Sequence, residues 1–268
     1  MKVVCVGDCG VDHYLPSGEQ RFGGITANFA RHARKEFRAD DEIHIVSCIG
    51  DDDGANLVRS SLVDTGIDCH ISTIPGATPT QYIELEADGE RSFVRYDAGV
   101  LNDFVFNQKQ RDIIAGSSLL VAPVYLQIVG LFDELLAIET SGLTAIDFAD
   151  FQQHPDFALL EDNIDKVDIG FFGLSVEDVA ATESIASLAA RRDKLFVITL
   201  GANGSRVFHG ARQVQCDAVT VEEVVDTTGA GDAFAAGFLS RYCHGADVDT
   251  SMQHGAQLAA TTIAKLGG

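Results

Sequence analysis

The sequence predicts an α/β fold: a mostly parallel central sheet with helices on both faces and a small β-hairpin set apart from it. Three observations carry this. Short β-branched runs alternate with longer helical patterns along almost the whole chain, as β-α-β crossovers require. One segment, Thr80 to Tyr96, breaks that rhythm with two strand-like runs joined at Ala87-Asp88-Gly89-Glu90, where Asp-Gly is a strong hairpin turn signal. The length, 268 residues, lets one domain spanning 1–268 bury a large core without dividing into two halves.

In chain order, the runs Val3–Val6, Ile43–Ile49, Leu119–Val121, Leu143–Ile146, Val167–Phe171 and Leu195–Thr199 read as buried strands. Helical spacing covers Ala27–Phe37, Ala55–Thr65, Leu126–Thr140 and Val176–Ala190, and Ala256–Leu266 reads as a final helix. In the hairpin, Ile83 and Leu85 alternate with Tyr82, Glu84 and Glu86, so one face is covered and the other wet. A second excursion, His13 to Phe22, turns at Pro16-Ser17-Gly18 and can pair with the hairpin. Strands outside the parallel sheet suggest a lid over residues 13–22 and 78–97, and a lid keeps water from competing with a substrate hydroxyl.

Composition narrows the partners. With 19 Lys and Arg against 40 Asp and Glu the formal charge is −21, which argues against a nucleic-acid backbone and for a small ligand. The six cysteines (Cys5, Cys9, Cys48, Cys69, Cys216, Cys243) form no C-x-x-C pair and no zinc spacing, so reduced thiols are expected. Met1–Gly7 is stopped by Asp8 before a signal or membrane segment could form, and a cytoplasmic enzyme is the default expectation.

The most informative run is Val225-Asp226-Thr227-Thr228-Gly229-Ala230-Gly231-Asp232-Ala233-Phe234. Val219, Val221, Val224 and Val225 suggest a strand before it, and Phe234, Gly237, Phe238 and Tyr242 a helix after it. Gly229 and Gly231 then fall at the helix start, where open amides and the positive end of the dipole favour phosphate. Asp232 repels a phosphate but can take the proton from a hydroxyl that attacks one. From these residues alone a glycine-rich turn with a capping Asp reads equally well.

The whole run resembles the signature of the ribokinase-like, or PfkB, carbohydrate kinases, D-T-x-G-A-G-D. The resemblance implies a three-layer α/β/α fold with a β-sheet lid that covers the sugar and in some members joins a homodimer. It implies Asp232 as catalytic base and Gly229, Ala230 and Gly231 as the anion hole. Other motifs follow in the family's order. Gly7-Asp8-Cys9-Gly10-Val11-Asp12 follows the first strand and ends in the family's sugar-binding Asp, here Asp12. Phe22-Gly23-Gly24-Ile25-Thr26-Ala27-Asn28 is similar to the Gly-Gly motif, with Gly23, Gly24 and Asn28 on the sugar and Ile25 where a polar residue is usual. Gly50-Asp51-Asp52-Asp53-Gly54 matches a further motif, read as a strand-to-helix turn with acids at the helix start rather than a metal loop.

Thr199, Gly201 and Gly204 match the family's nucleotide motif, which places ATP across two neighbouring strand ends. Glu177 falls where the family has N-x-x-E with a magnesium-supporting Glu, but the Asn position holds Leu174, and Asp178 competes for the role. Mg2+ is expected with the triphosphate. Asp226 and Thr228 match positions that bind a monovalent cation, such as K+, in several members. The chain lacks a Walker A lysine motif, zinc-hydrolase patterns and a G-x-S-x-G elbow.

The implied activity is ATP-dependent phosphorylation of a primary hydroxyl. The Gly-Asp-x-x-x-Asp start, the Gly50–Asp53 run and Asp147-Phe148-Ala149-Asp150 look most like the fructoselysine 6-kinase branch, which acts on a glycated amino acid. There an acid such as Glu84 or Asp97 would meet an ammonium group. Fructokinase, ribokinase and nucleoside kinase activities are the alternatives in class, and a non-catalytic nucleotide and sugar sensor is the alternative outside it.

Overall fold

In a computed structural model that describes residues 1–15, 17–85, 91–149 and 158–268, the chain forms a nine-stranded and a four-stranded sheet. The large sheet holds seven parallel strands: β1 (Lys2–Val6), β4 (Glu42–Ile49), β5 (Asp68–Thr73), β8 (Leu119–Pro123), β9 (Leu143–Asp147), β10 (Ile169–Gly173) and β11 (Leu195–Thr199). β12 (Ser205–His209) and β13 (Arg212–Cys216) extend it antiparallel, and the order is β13-β12-β11-β10-β9-β8-β1-β4-β5. From β1 the chain moves to one side for β4 and β5 and returns to the other for β8 to β11. The carboxyl ends of β1 and β8 therefore flank the topological switch point, where open α/β sheets bind ligands.

Alternation along each strand divides the core. In β1, Val3 and Cys5 pack into one apolar layer and Val4 and Val6 into the other. The first layer is closed by α1 (Ile25–Glu36), α2 (Asp53–Leu62), α7 (Ala230–Tyr242) and α8 (Val248–Ile263). The second is closed by α3 (Gln108–Ala115), α4 (Val129–Leu136), α5 (Ala158–Asp162) and α6 (Val179–Arg192). The α7 helix lies between α1 and α8. Phe238 is fully buried, stacked on Phe234 and edge-on to Phe171, a packing worth about 3–5 kcal/mol if truncated to Ala. A Cβ on Gly237 would come within 3.0 Å of the Gly255 Cα, so two glycines set the close α7–α8 crossing.

The four-stranded sheet contains β2 (Gly10–Leu15), β3 (Glu19–Gly23), β6 (Thr80–Leu85) and β7 (Arg91–Asp97) in the order β3-β2-β6-β7. The 13–22 excursion does pair with the hairpin, through a parallel β2–β6 ladder from Val11↔Thr80 to Leu15↔Glu84. Ile83 is buried and Glu84 exposed, as the alternation predicts. The turn at Ala87–Glu90, together with Pro16 and Asp150, lies outside the described residues.

Several boundaries differ from the sequence reading. Residues 217–229 form no strand: Val225 and Asp226 donate their amides to the Ile263 carbonyl (2.8 and 3.3 Å), which ties the segment to the end of α8 instead of a sheet edge. The stretch read as helix from Leu126 begins with a 3-10 turn, Leu126–Ile128, and is α-helical only over Val129–Leu136. The α6 helix begins at Val179, not Val176, because the Asp178 carboxylate takes the Ser175 amide (2.8 Å) and holds a turn there. The last helix starts eight residues earlier than expected, at Val248, with the Asp247 side chain capping it on the Thr250 amide (2.7 Å).

Candidate active site

The α7 helix begins where its glycines allow. Gly229 is the N-cap at φ 75°, a left-handed conformation that favours glycine, and as a glycine it brings no capping side chain of its own. Asp232 therefore lies inside the first turn and not at the cap position. Ala230 donates its amide to the Thr227 carbonyl (3.2 Å), closing the turn, while a Cβ on Gly231 would meet nothing within 4 Å. A helix start with glycine at its cap lets a phosphoryl group come close to the backbone amides.

Beneath it runs a narrow cleft at the switch point. Its lining brings Asp232 and Ala235 of α7 together with Ile25 and Thr26 at the start of α1, Val121 to Pro123 of β8, and Asp147 at the end of β9. Asp232 is buried, 8% exposed. A Cβ on Gly7 would fall 2.5 Å from the Thr26 hydroxyl and 3.0 Å from Pro123, so only glycine there lets α1 settle onto β1 and β8.

The sugar-side residues converge from both sheets. Asp12 on β2 is 4% exposed and its carboxylate covers Gly23 on β3, where a Cβ would fall 2.2 Å from the carboxylate carbon. Gly24, at φ 104°, turns the chain into α1. The helix start is capped from outside: Asp8 accepts from the Ile25 and Thr26 amides, both at 3.1 Å. Burial pushes the Asp8 carboxyl above its usual range, and the two amides only partly oppose it. Asn28 is buried, its Nδ2 lies 3.6 Å from a Cβ position on Gly229, and its Oδ1 has no hydrogen-bond partner among the described residues. A buried amide oxygen with no partner among the described residues is a position that a ligand donor can satisfy.

The four-stranded sheet brings Tyr96 near Asp8. Tyr96 of β7 accepts a hydrogen bond from Tyr125 (2.8 Å), and its phenol is held well above its usual range by burial and then by the nearby Asp8 charge. Asp226 joins lid and loop: its Oδ1 accepts from the Thr228 amide (2.8 Å), and its Oδ2 from the Tyr14 hydroxyl (2.9 Å) and the Gly267 amide (2.8 Å).

On the nucleotide side, Thr199 ends β11, Gly201 (φ 55°) opens the following turn and Gly204 (φ 82°) closes it. A Cβ on Gly204 would lie 2.2 Å from the Cys216 carbonyl, which forces that turn against the end of β13. Beside Cys216 a cavity of about 450 Å³ opens between β13 and α8, lined by Val214, Val219, Asp249, Met252, Gln253 and Ala256.

Two expected residues are exposed. Glu177 is exposed in the turn after β10, two residues before α6. Asp97 is exposed at the end of β7 and its carboxylate takes the Gly99 amide (3.1 Å). The Asp51–Asp53 run is structural, as read: Asp52 caps α2 on the Ala55 amide (3.0 Å) and takes the Thr78 amide and hydroxyl, while Asp51 takes the Gly76 amide.

Tyr14, Thr26, Asp147 and the β13–α8 cavity were not read as site parts from sequence. The Thr after the glycine pair and the Asp ending a buried strand were available signals; the cavity had none, because its walls are distant in sequence.

Residues 2–268 match the model of the pfkB family of carbohydrate kinases. The chain belongs to that family. It is thus a phosphotransferase that acts on a hydroxyl group, a sugar kinase of the ribokinase type. Over 259 residues the kinase is 31% identical to the fructoselysine 6-kinase of Shigella flexneri, covering 96% of this chain and 95% of that protein. It is 27% identical to the fructosamine kinase FrlD of Bacillus subtilis strain 168, covering 100% and 92%. In fold it is similar to the adenosine kinase of Sinorhizobium meliloti, with TM-score 0.85 and 24% identity over 99% of this chain and 94% of the other. The Arabidopsis thaliana ribokinase solved with ribose and ATP superposes with TM-score 0.80 at 18% identity, covering 100% and 93%.

Proposed function

We propose that this kinase transfers the γ-phosphoryl group of ATP to a primary hydroxyl of a fructosyl-amine such as fructoselysine. One observation carries the reading of the chemistry: a buried Asp232 in the first turn of a glycine-capped helix, lining a cleft at the switch point, with Asn28 Nδ2 close to the Gly229 cap. The substrate class is supported by the near full-length similarity to fructoselysine 6-kinases and a fructosamine kinase.

Asp12 and Asn28 hold sugar hydroxyls, and Asp232 takes the proton of the acceptor hydroxyl as its oxygen bonds to the γ-phosphorus and the bond to the β–γ bridging oxygen breaks. The Gly229–Gly231 turn and the α7 dipole stabilise charge on the transferring group. The lid and the apolar cleft walls exclude water, which protects ATP from hydrolysis. ATP runs from the Thr199–Gly204 turn toward α7, with its base in the β13–α8 cavity. No group of three or more metal-binding side chains occurs among the described residues, and this fits Mg2+, which keeps waters and binds chiefly through substrate phosphates. Glu177 would hold it through water, and Mg2+ offsets phosphate charge when bound.

The test is ADP release with fructosyl-lysine, fructose, ribose and a nucleoside, for the wild type and Asp232→Asn. Fructosyl-lysine is expected to give the highest kcat/KM. Asp232→Asn is expected to lose about 10²- to 10⁴-fold in kcat with ATP affinity unchanged. Preference for a nucleoside overturns the substrate class, and full turnover by the variant overturns the base.

A further inference from the structure

The segment Leu266-Gly267-Gly268, just beyond α8, is held at three successive points. Its Leu266 carbonyl accepts Arg21 Nη1 (3.1 Å), its Gly267 amide donates to Asp226 Oδ2 (2.8 Å), and its Gly268 carbonyl accepts Arg31 Nη1 (3.1 Å). The holders come from β3, the loop before α7, and α1.

Held there, Gly268 meets two parts of the candidate site. A Cβ on Gly229 would fall 2.6 Å from the Gly268 Cα, and a Cβ on Gly268 would fall 2.6 Å from Asn28 Nδ2 and 2.9 Å from its Cγ. The Gly268 backbone therefore lies directly against both the α7 cap and the Asn28 amide. The last torsion of an asparagine side chain is broad, so its rotamer alone does not fix where the amide oxygen points. A contact packed on the amide does. Asn28 is buried, and its Oδ1 has no hydrogen-bond partner among the described residues, so the setting of that amide matters to any ligand that uses it.

Arg31 anchors this contact. It is three residues from Asn28 on α1, close enough for the two side chains to be neighbours. Its guanidinium is half-buried, 5.6 Å from the centre of the Phe22 ring, and reaches past the helix to the Gly268 carbonyl.

We propose that Arg31 is a positioning residue for the acceptor: by holding Gly268 against Asn28 it sets the amide so that Oδ1 accepts from an acceptor hydroxyl. The proposal rests on the reading of Asn28 as an acceptor contact. It does not depend on which sugar is the acceptor.

A double-mutant cycle on the full chain tests it, with KM for the best acceptor and for MgATP in the wild type, Arg31→Gln, Asn28→Ala and the pair. Arg31→Gln is expected to raise acceptor KM about three- to tenfold with ATP KM within twofold, and Arg31→Lys, which keeps a donor for Gly268, to stay within twofold of the wild type. The pair should match Asn28→Ala within twofold, because Arg31 has nothing to position once the amide is gone. An unchanged acceptor KM in folded Arg31→Gln, an equal rise in ATP KM, or effects that multiply in the pair overturns the proposal. If Arg31→Gln does not fold, Gly268→Ala, which puts a methyl against Asn28 Nδ2, takes its place with the same criteria. An unchanged acceptor KM in Asn28→Ala overturns the acceptor reading of Asn28 and the proposal with it. The Asn28 side-chain amide signals in a proton–nitrogen correlation spectrum, identified by their loss in Asn28→Ala, need no turnover. They are expected to shift in Arg31→Gln, and signals that stay in place overturn the link. Absence of turnover with every acceptor would count against the kinase reading alone, and the amide signals would still decide whether Arg31 sets Asn28.

Discussion

The proposed acceptor side and the proposed nucleotide side of this kinase are built on different principles. The acceptor side is made of buried side chains: Asp8, Asp12, Thr26 and Asn28 are each below 5% exposed and come from both sheets and α1. The nucleotide side is made of backbone shape: Gly201 is exposed and Gly204 turns at φ 82°, with a Cβ excluded by the Cys216 carbonyl. A sugar is recognised by the positions of its hydroxyls, which takes buried donors and acceptors whose mispairing is costly. A triphosphate is recognised by charge, which amides and a dipole supply without side chains.

If that contrast holds, perturbing the nucleotide side should act through the backbone and have the largest effect. Gly204→Ala puts a Cβ 2.2 Å from a carbonyl at φ 82°, ψ −139°, and is expected to cost about 3 kcal/mol in urea unfolding and to weaken ATP binding with it. An unchanged unfolding midpoint would show that the turn tolerates a side chain.

Next, Gly23→Ala drives a methyl into the Asp12 carboxylate. It is expected to raise acceptor KM about tenfold or more while ATP KM stays within twofold, measured by varying each substrate in turn. Equal effects on both substrates would erase the contrast. Asn28→Ala removes one open amide and should raise acceptor KM by a smaller factor, about three- to tenfold, again sparing ATP.

The smallest effect distinguishes two aspartates that do the same work, each holding a helix start. Asp8 is buried and its carboxyl is pushed up; Asp52 is solvent-exposed, and although burial also acts on it, the Thr78 and Ala55 hydrogen bonds win and hold it below its usual range. A depressed carboxyl contributes stability that is present above the unfolded value near 3.9 and is lost as pH falls through the folded one. Asp52→Asn is therefore expected to cost about 1 kcal/mol at neutral pH and progressively less in acid. A raised carboxyl has the opposite sign, because ionising Asp8 in the folded state grows costlier as pH climbs from the unfolded value through the folded one. The stability lost in Asp8→Asn should thus shrink as pH rises. Urea midpoints across pH read both slopes, and parallel slopes would mean that burial at Asp8 is not what separates them.

Much of the fold was legible because the signals are local. The Val3–Val6, Ile43–Ile49 and Leu195–Thr199 strands lie within a residue or two of their runs, since a buried parallel strand must be apolar wherever it sits. The 217–229 segment misled for the same reason: its valines have strand composition, but they have no sheet edge to join and lie along α8. In the candidate site, the glycine loop and Asp232 were readable because a helix start, its dipole and an adjacent acid are set within four residues.

What sequence determined by itself was therefore the layered α/β class, the family and the glycine-led start of α7, all of which depend on periodicity or on contiguous residues. Tertiary structure alone decided the register in which β2 and β6, some seventy residues apart, pair, that Asp12 covers Gly23, that Asp8 caps a helix seventeen residues on, and that Asp226 is claimed by Tyr14 and Gly267. Each of those is a pairing between distant segments. Many partners could satisfy such a group equally well, and only the packed chain, having met the loop-closure cost of its long-range contacts, selects one.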